Sequence, residues 1–161
     1  MSSQTIIIKV HNPTISTIRI DFDSHGILSL RFNPKYNENN HPKKRVPPFI
    51  DALAAKINAY FDGDPVDFLE FPVNITQKTT LFRTAVWNAT RTISYGHTMT
   101  YAQLADIVAT RGHARAVGSA LKANPVPLIV PCHRVTAAHG KLGGFSAGPE
   151  IKKTLLSLEK L

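Results

Sequence analysis

The chain has 161 residues, 43% of them hydrophobic, a formal net charge of +8 and a single cysteine. That length and apolar content suit one ordinary globular domain or two small ones sharing an interface, and they exclude a disordered tail. One cysteine cannot close an internal disulfide, so a secreted, disulfide-stapled scaffold is excluded and a reducing, intracellular setting is expected.

The opening MSSQTIIIKV lacks a basic segment followed by a long apolar one, and no apolar run approaches the roughly 18 residues of a membrane span, so neither a leader nor a membrane segment is expected. TIIIKV, STIRIDF and GILSLRF then read as three short strands. They are separated by the turn formers Asn12-Pro13 and Ser24-His25-Gly26, and the last two strands are expected to form a hairpin. Residues 33–45, NPKYNENNHPKKR, are polar and proline-punctuated, which predicts an exposed loop; its PKKR is too short a match to carry a nuclear-import reading. His11, His25 and His41 are expected to be exposed, in or near loops. A helix is predicted from Pro47, with Phe49, Leu53, Ile57 and Tyr60 on one stripe and Gly63 just past its end. Periodicity is lost between Val66 and Lys78, and the domain junction is placed there, giving an N-terminal α/β domain over 1–76 and a C-terminal domain over 77–161.

The second part reads as helical. Thr79 or Thr80 can cap a helix carrying Phe82, Val86, Ala89 and Ile93 at every third or fourth place, ending before Tyr95-Gly96; Trp87 is read as core. Thr100 and Gln103 form a capping box for YAQLADIVAT, and HARAVGSALKA follows Arg111-Gly112 as a second short helix, completing a helix-turn-helix shape. On that second helix Val117 and Leu121 can face inward, while Arg115, Ser119 and Lys122 share an outward face. Ala114, Ala116 and Gly118 keep it slim enough to approach a nucleic-acid backbone or groove closely.

The charge distribution agrees with such a partner. Residues 1–80 carry 9 Lys and Arg against 8 Asp and Glu, whereas residues 81–161 carry 10 against 3. No acid falls between Asp106 and Glu150, yet Arg111, Arg115, Lys122, Arg134 and Lys141 do, the footprint of a surface for a polyanion. A basic face kept for solubility has the same composition.

The cysteine lies in NPVPLIVPCHRV. A lone thiol in apolar surroundings is more often an inert core residue than a nucleophile, but His133, Arg134 or a nearby helix N-terminus would favour its thiolate. Neighbours on an extended strand point to opposite faces, so Cys132 and His133 can cooperate only if the chain turns between them or a water bridges them; Pro131 permits a turn. A carboxylate supporting the imidazole must come from Asp106, Glu150 or Glu159 within this half, and Glu159, at the end of the last helix, reads by itself as a surface acid.

PCHRV, preceded by NPVPLIV and followed by GGFSAG, resembles the signature of O6-alkylguanine-DNA alkyltransferases, the methylated-DNA–protein-cysteine methyltransferases. The resemblance runs upstream through FRTAVW, TYAQLA and ARAVGSALKANP, covering nearly all of residues 80–161; over 1–78 it is one of architecture only. It implies a ribonuclease-H-like α/β domain followed by a mainly helical, winged-helix-like domain with a helix-turn-helix. It also implies repair of O6-alkylguanine, or O4-alkylthymine, in double-stranded DNA bound through the minor groove, with the base rotated out of the stack. The resemblance makes Cys132 the alkyl acceptor, His133 its base through a water, Glu159 the carboxylate orienting that histidine, and Asn124 the brace of the thiol loop. Tyr101 would assist base rotation and bond guanine N3, Arg115 would fill the vacated duplex, and the backbones of Val135, Cys132 and Ser146 would read the base. Ser119, Lys122 and Arg134 join the DNA-contacting set, and Phe145 stands as an aromatic wall where many relatives have tyrosine. A stable thioether implies one transfer per molecule, without metal or organic cofactor, by a protein monomeric in the absence of DNA. Two other classes compete: a damage-binding module of the alkyltransferase-like kind, in which the acceptor cysteine is replaced, and a cysteine hydrolase, which would turn over.

Overall fold

The computed structural model describes residues 3–35, 46–75, 79–108 and 112–161; PKKR, His41 and Arg111 lie outside them. Strands β1 (Gln4–Lys9), β2 (Thr17–Phe22) and β3 (Ile27–Phe32) form an antiparallel sheet in that order, with Ile6 opposite Ile20 and Ile18 opposite Phe32. Alternation sets the faces: Ile18, Ile20 and Phe22 of β2 are fully buried, each contributing roughly 1.5–3 kcal/mol. On the other face Asp21 accepts from Thr5 and Ser29 and pairs with Arg19.

Helix α1 (Pro48–Phe61) begins on a proline, which suits a first turn whose N–H has no partner in any case. Its buried stripe is Ile50, Leu53, Ile57, Tyr60 and Phe61; Phe49, expected on that stripe, sits half-buried in the first turn, and Ile50 takes the buried place there. The irregular chain after it is tied to the sheet by bonds from Ile27 N–H to the Pro72 carbonyl and from Asn74 N–H to the Ile27 carbonyl. Gly26 makes that approach possible. It has φ +152°, and a Cβ there would lie 2.7 Å from the Pro72 oxygen.

Helix α2 (Leu81–Arg91) is capped by Thr80, whose side chain accepts from Arg83 N–H. Trp87 is core, as expected, and donates Nε1–H to the Ala120 carbonyl at 2.9 Å. The short strand β4 (Met99–Thr100) leads into α3 (Tyr101–Ile107), where Thr100 and Gln103 make the expected capping box. Helix α4 (Ala114–Lys122) buries Val117, Ala120 and Leu121 and exposes Arg115, Ser119 and Lys122. A single turn of 3₁₀ helix, Cys132–Arg134, runs into β5 (Val135–Thr136), which pairs in parallel with β4; α5 (Pro149–Leu158) ends the chain. One buried hydrophobic cluster runs from Ile8 in the sheet to Leu155 in α5, so the near-neutral and the basic halves share a core. No described helix is long and apolar enough to cross a membrane.

Candidate functional site

A cavity of about 610 Å³ opens between α4, the start of α3 and the loop before α5. Of the residues singled out from sequence, Cys132, Tyr101, Arg115, Lys122, Phe145 and Ser146 line it. Asn124, His133, Glu159, Arg134 and Val135 are buried and do not line it, and Ser119 is exposed but also stands outside it.

The thiol loop is built from inside. Asn124 is buried and donates Nδ2–H to the Val130 carbonyl at 3.0 Å and to Cys132 Sγ at 3.1 Å, while its Oδ1 accepts from Val126 N–H. The backbone of β3 holds the same loop from outside, Leu30 N–H donating to the Pro125 carbonyl. Within it Leu128 is buried at φ +78°, a left-handed conformation unfavourable for a branched side chain and kept there by its surroundings. The chain takes a 3₁₀ turn at Cys132–Arg134, with Cys132 on the cavity lining and His133 in the core.

His133 is fully buried and shares a 2.8 Å hydrogen bond between Nε2 and Glu159 Oε1; its Nδ1 is buried with no hydrogen-bond partner among the described residues. The place of Glu159 at a helix end suggests a surface acid, and the resemblance makes it the carboxylate behind His133; Glu159 is only 3% exposed and sits on that imidazole, whereas Asp106 and Glu150 are exposed. Its carboxylate also accepts from the Tyr60 hydroxyl at 2.8 Å, from Gly96 N–H at 3.0 Å and from Arg134 Nε and Nη2.

Arg134 requires a correction. It does not face DNA: it is 2% exposed, and its guanidinium bonds Glu159, Asp67 and the Ile93 carbonyl. Its charge neutralises the buried carboxylate, because an unpaired ion there would carry a large desolvation cost. The exposed basic residues among those named are Arg115, Lys122 and Lys141.

Sequence reasoning missed Lys152. It is fully buried, donates Nζ–H to the Val135 carbonyl at 2.6 Å and to the Gly144 carbonyl at 3.3 Å, and so ties the strand after the thiol to the cavity loop. Its signal was positional: Lys152 lies three and four residues before the buried Leu155 and Leu156, on the apolar stripe of α5. That loop also leans on Tyr101, whose hydroxyl donates to the Gly144 carbonyl at 3.2 Å. Gly143, at φ +69°, admits the contact; a Cβ would fall 2.8 Å from the tyrosine ring. Phe145 packs between Phe32 and the edge of His133, both ring centroids 6.5 Å away.

The electrostatics divide the roles. Burial pushes the Cys132 thiol up to about 11, against the opposing pull of Asn124 and the Lys152 charge, so at neutral pH the sulfur holds its proton until a base takes it. Burial also lowers the basicity of His133, while Glu159 works to raise it. Despite its own burial Glu159 is held down at about 2 by His133 and Arg134, and is an anion throughout the physiological range. Burial brings Lys152 down to about 8. A thiol on the floor of an open cavity, behind it an imidazole fixed by a permanent carboxylate, is equipped for nucleophilic attack on a ligand entering past Arg115 and Lys122.

Residues 81–161 match the model of the 6-O-methylguanine DNA methyltransferase, DNA binding domain. The chain is 41% identical over 147 residues to the methylated-DNA–protein-cysteine methyltransferase of Methanosarcina acetivorans, covering 90% of this chain and 92% of that protein. The chain belongs to the methylated-DNA–protein-cysteine methyltransferase family. Among solved structures, a variant of the Mycobacterium tuberculosis O6-methylguanine methyltransferase superposes with a TM-score of 0.79 at 34% identity, covering 99% of this chain and 93% of that one. The same bacterium's OGT in complex with DNA gives 0.77 at 33% identity, covering 98% and 92%. The match extends through the first half, where the sequence resemblance had been one of architecture: a small sheet-bearing region followed by a helical part is the fold of these methyltransferases.

Proposed function

We propose that this protein repairs O6-alkylguanine in duplex DNA by moving the alkyl group, once and irreversibly, onto Cys132. The observation that carries the reading is the position of the only thiol. It lies on the floor of a cavity bordered by the basic face of α4 and backed by the His133–Glu159 pair.

The step balances as a displacement at carbon. Sγ forms a bond to the alkyl carbon while the bond from that carbon to guanine O6 breaks, and its electron pair leaves with the base. The thiol proton passes through a water to the unpartnered Nδ1 of His133 and is then available to the departing guanine; Nε2–H stays on Glu159, which keeps the imidazole in the accepting tautomer. Donors from Ser146 N–H and the Tyr101 hydroxyl would meet the charge developing on O6 and N3. The Cys132 carbonyl would receive the guanine amine, and the Val135 carbonyl, which stands behind the lining and is held by Lys152, would join it only with the base fully seated. The thioether formed is a poor leaving group, which makes the reaction single-turnover.

The alkylated base cannot reach this floor inside a stacked duplex, so it is rotated out, with Arg115 filling the gap and α4 laid in the minor groove. Residues 1–76 act as a ribonuclease-H-like support and 77–161 as a winged-helix-like reading and acceptor domain, in a monomer working where the cell keeps its DNA. The test is intact protein mass after mixing with an oligonucleotide containing O6-methylguanine. One added methyl group, mapped to Cys132 and absent in Cys132→Ser, is expected. Tight binding with unchanged mass would instead favour a damage-sensing protein.

A further inference from the structure

Tyr60 belongs to α1, in the half of the chain that lines none of the cavity, yet its side chain ends inside the site. It is fully buried, and its hydroxyl lies 2.8 Å from Glu159 Oε1, across 99 residues of sequence. That is the same oxygen that holds His133 Nε2. The ring is fixed by edge contacts with Phe61 and Tyr95 and by Phe68, and of the two acceptors its hydroxyl meets, the Leu155 carbonyl at 3.4 Å is the more distant and the Glu159 carboxylate the closer. A core tyrosine needs some acceptor for its hydroxyl, but a carboxylate oxygen already engaged by an imidazole is a specific one.

We propose that Tyr60 is a positioning residue for the alkyl transfer: by donating to the Glu159 oxygen that holds His133, it fixes the carboxylate and limits how strongly the imidazole binds a proton. The inference rests on the transfer reading above. Its physical content is competition. Each donor on Oε1 disperses the charge that His133 feels, so removing one makes the imidazole more basic. The other charged and titratable groups facing the pair are Arg134, with Asp67 beyond it, Lys152 from α5 and the Tyr95 hydroxyl. None of them changes in a Tyr60→Phe variant, which keeps the ring.

The experiment compares the two proteins across pH in single-turnover methyl transfer from the O6-methylguanine oligonucleotide, and follows the titration of His133 by histidine nitrogen resonances. In Tyr60→Phe the acid limb of the rate profile and the His133 midpoint should both move to higher pH, by about half a unit to one unit. A lowered melting temperature with superimposable profiles and midpoints overturns the proposal and leaves Tyr60 a core residue. If the unaltered protein gains no methyl group, the transfer reading itself has failed, and the two failures are told apart by that control.

Discussion

The front and the back of the cavity are held in different ways. In front of Cys132, Arg115, Lys122 and Ser146 are exposed, and the loop they face rests on one Tyr101 bond and two bonds from Lys152 and its own backbone. Behind it, Asn124, His133, Arg134, Glu159 and Tyr60 are all buried, and the Glu159 carboxylate alone accepts from four different residues. A surface that must admit a base has to remain loose and wet, whereas a proton acceptor must keep one tautomer and one orientation. Changes at the back are therefore expected to cost folding and chemistry together, and changes at the front to alter binding while folding stays intact.

Glu159→Gln is the severest test of that division. It leaves the buried Arg134 guanidinium with only the half-exposed Asp67 as counter-charge and removes the carboxylate acceptor of His133 and Tyr60, which should lower stability by about 3–5 kcal/mol in urea unfolding and reduce methyl transfer with it. A loss below 1 kcal/mol would place Glu159 with the tolerant front. The same carboxylate predicts a pH signature. Its folded value of about 2 lies below the ordinary 4.5, so its contribution is fully present above 4.5 and disappears as pH falls toward about 2. The urea midpoint should drop across that window, and the drop should be much smaller in Glu159→Gln.

Asn124→Ala comes next. It removes the donor to Sγ and two bonds that shape the thiol loop, at a cost of about 1–3 kcal/mol. Because a donor to sulfur favours the thiolate, reaction of Cys132 with a free benzylated guanine base should also slow by about tenfold or more. Lost stability without slowed reaction would reduce Asn124 to a loop brace.

What could be read in the sequence follows the same line. The capping box of Thr100 and Gln103 and the inward Val117 and Leu121 are local, set by residues three or four apart, and they stand where periodicity puts them. The cysteine, histidine and arginine are contiguous, but what each touches is not: Glu159 lies 26 residues from His133, and Asp67 lies 67 from Arg134. Arg134 falls among the surface charges in the sequence because a sequence shows a charge and not its partner. Tyr60 read as one member of a helical stripe, since nothing in its neighbourhood distinguishes a phenol that ends on a carboxylate from one that ends in water.

At the front, Arg115→Ala should change unfolding by no more than about 0.5 kcal/mol, the usual range for an exposed side chain. Its effect should appear only when a base must leave a stack. Repair in duplex DNA should fall by about tenfold or more, with reaction of the free benzylated base unchanged, because the free base requires no extrusion. Equal losses on both substrates would assign Arg115 to the cavity's chemistry and erase the difference between front and back.

The smallest expected effect is also the one that separates a DNA-reading face from a generally basic protein. Lys122 and Lys153 are both exposed, and replacing either by alanine removes one charge, but only Lys122 borders the cavity. If the rim of the cavity meets phosphate, Lys122→Ala releases one counterion fewer on binding. The slope of log affinity against log salt then becomes shallower by about 0.9, while Lys153→Ala leaves it near the original. If net charge alone attracts DNA, the two variants shift the slope alike. The affinity change at one salt concentration would be too small to distinguish these cases, so the measurement has to be the slope, taken over a range wide enough to resolve a single ion.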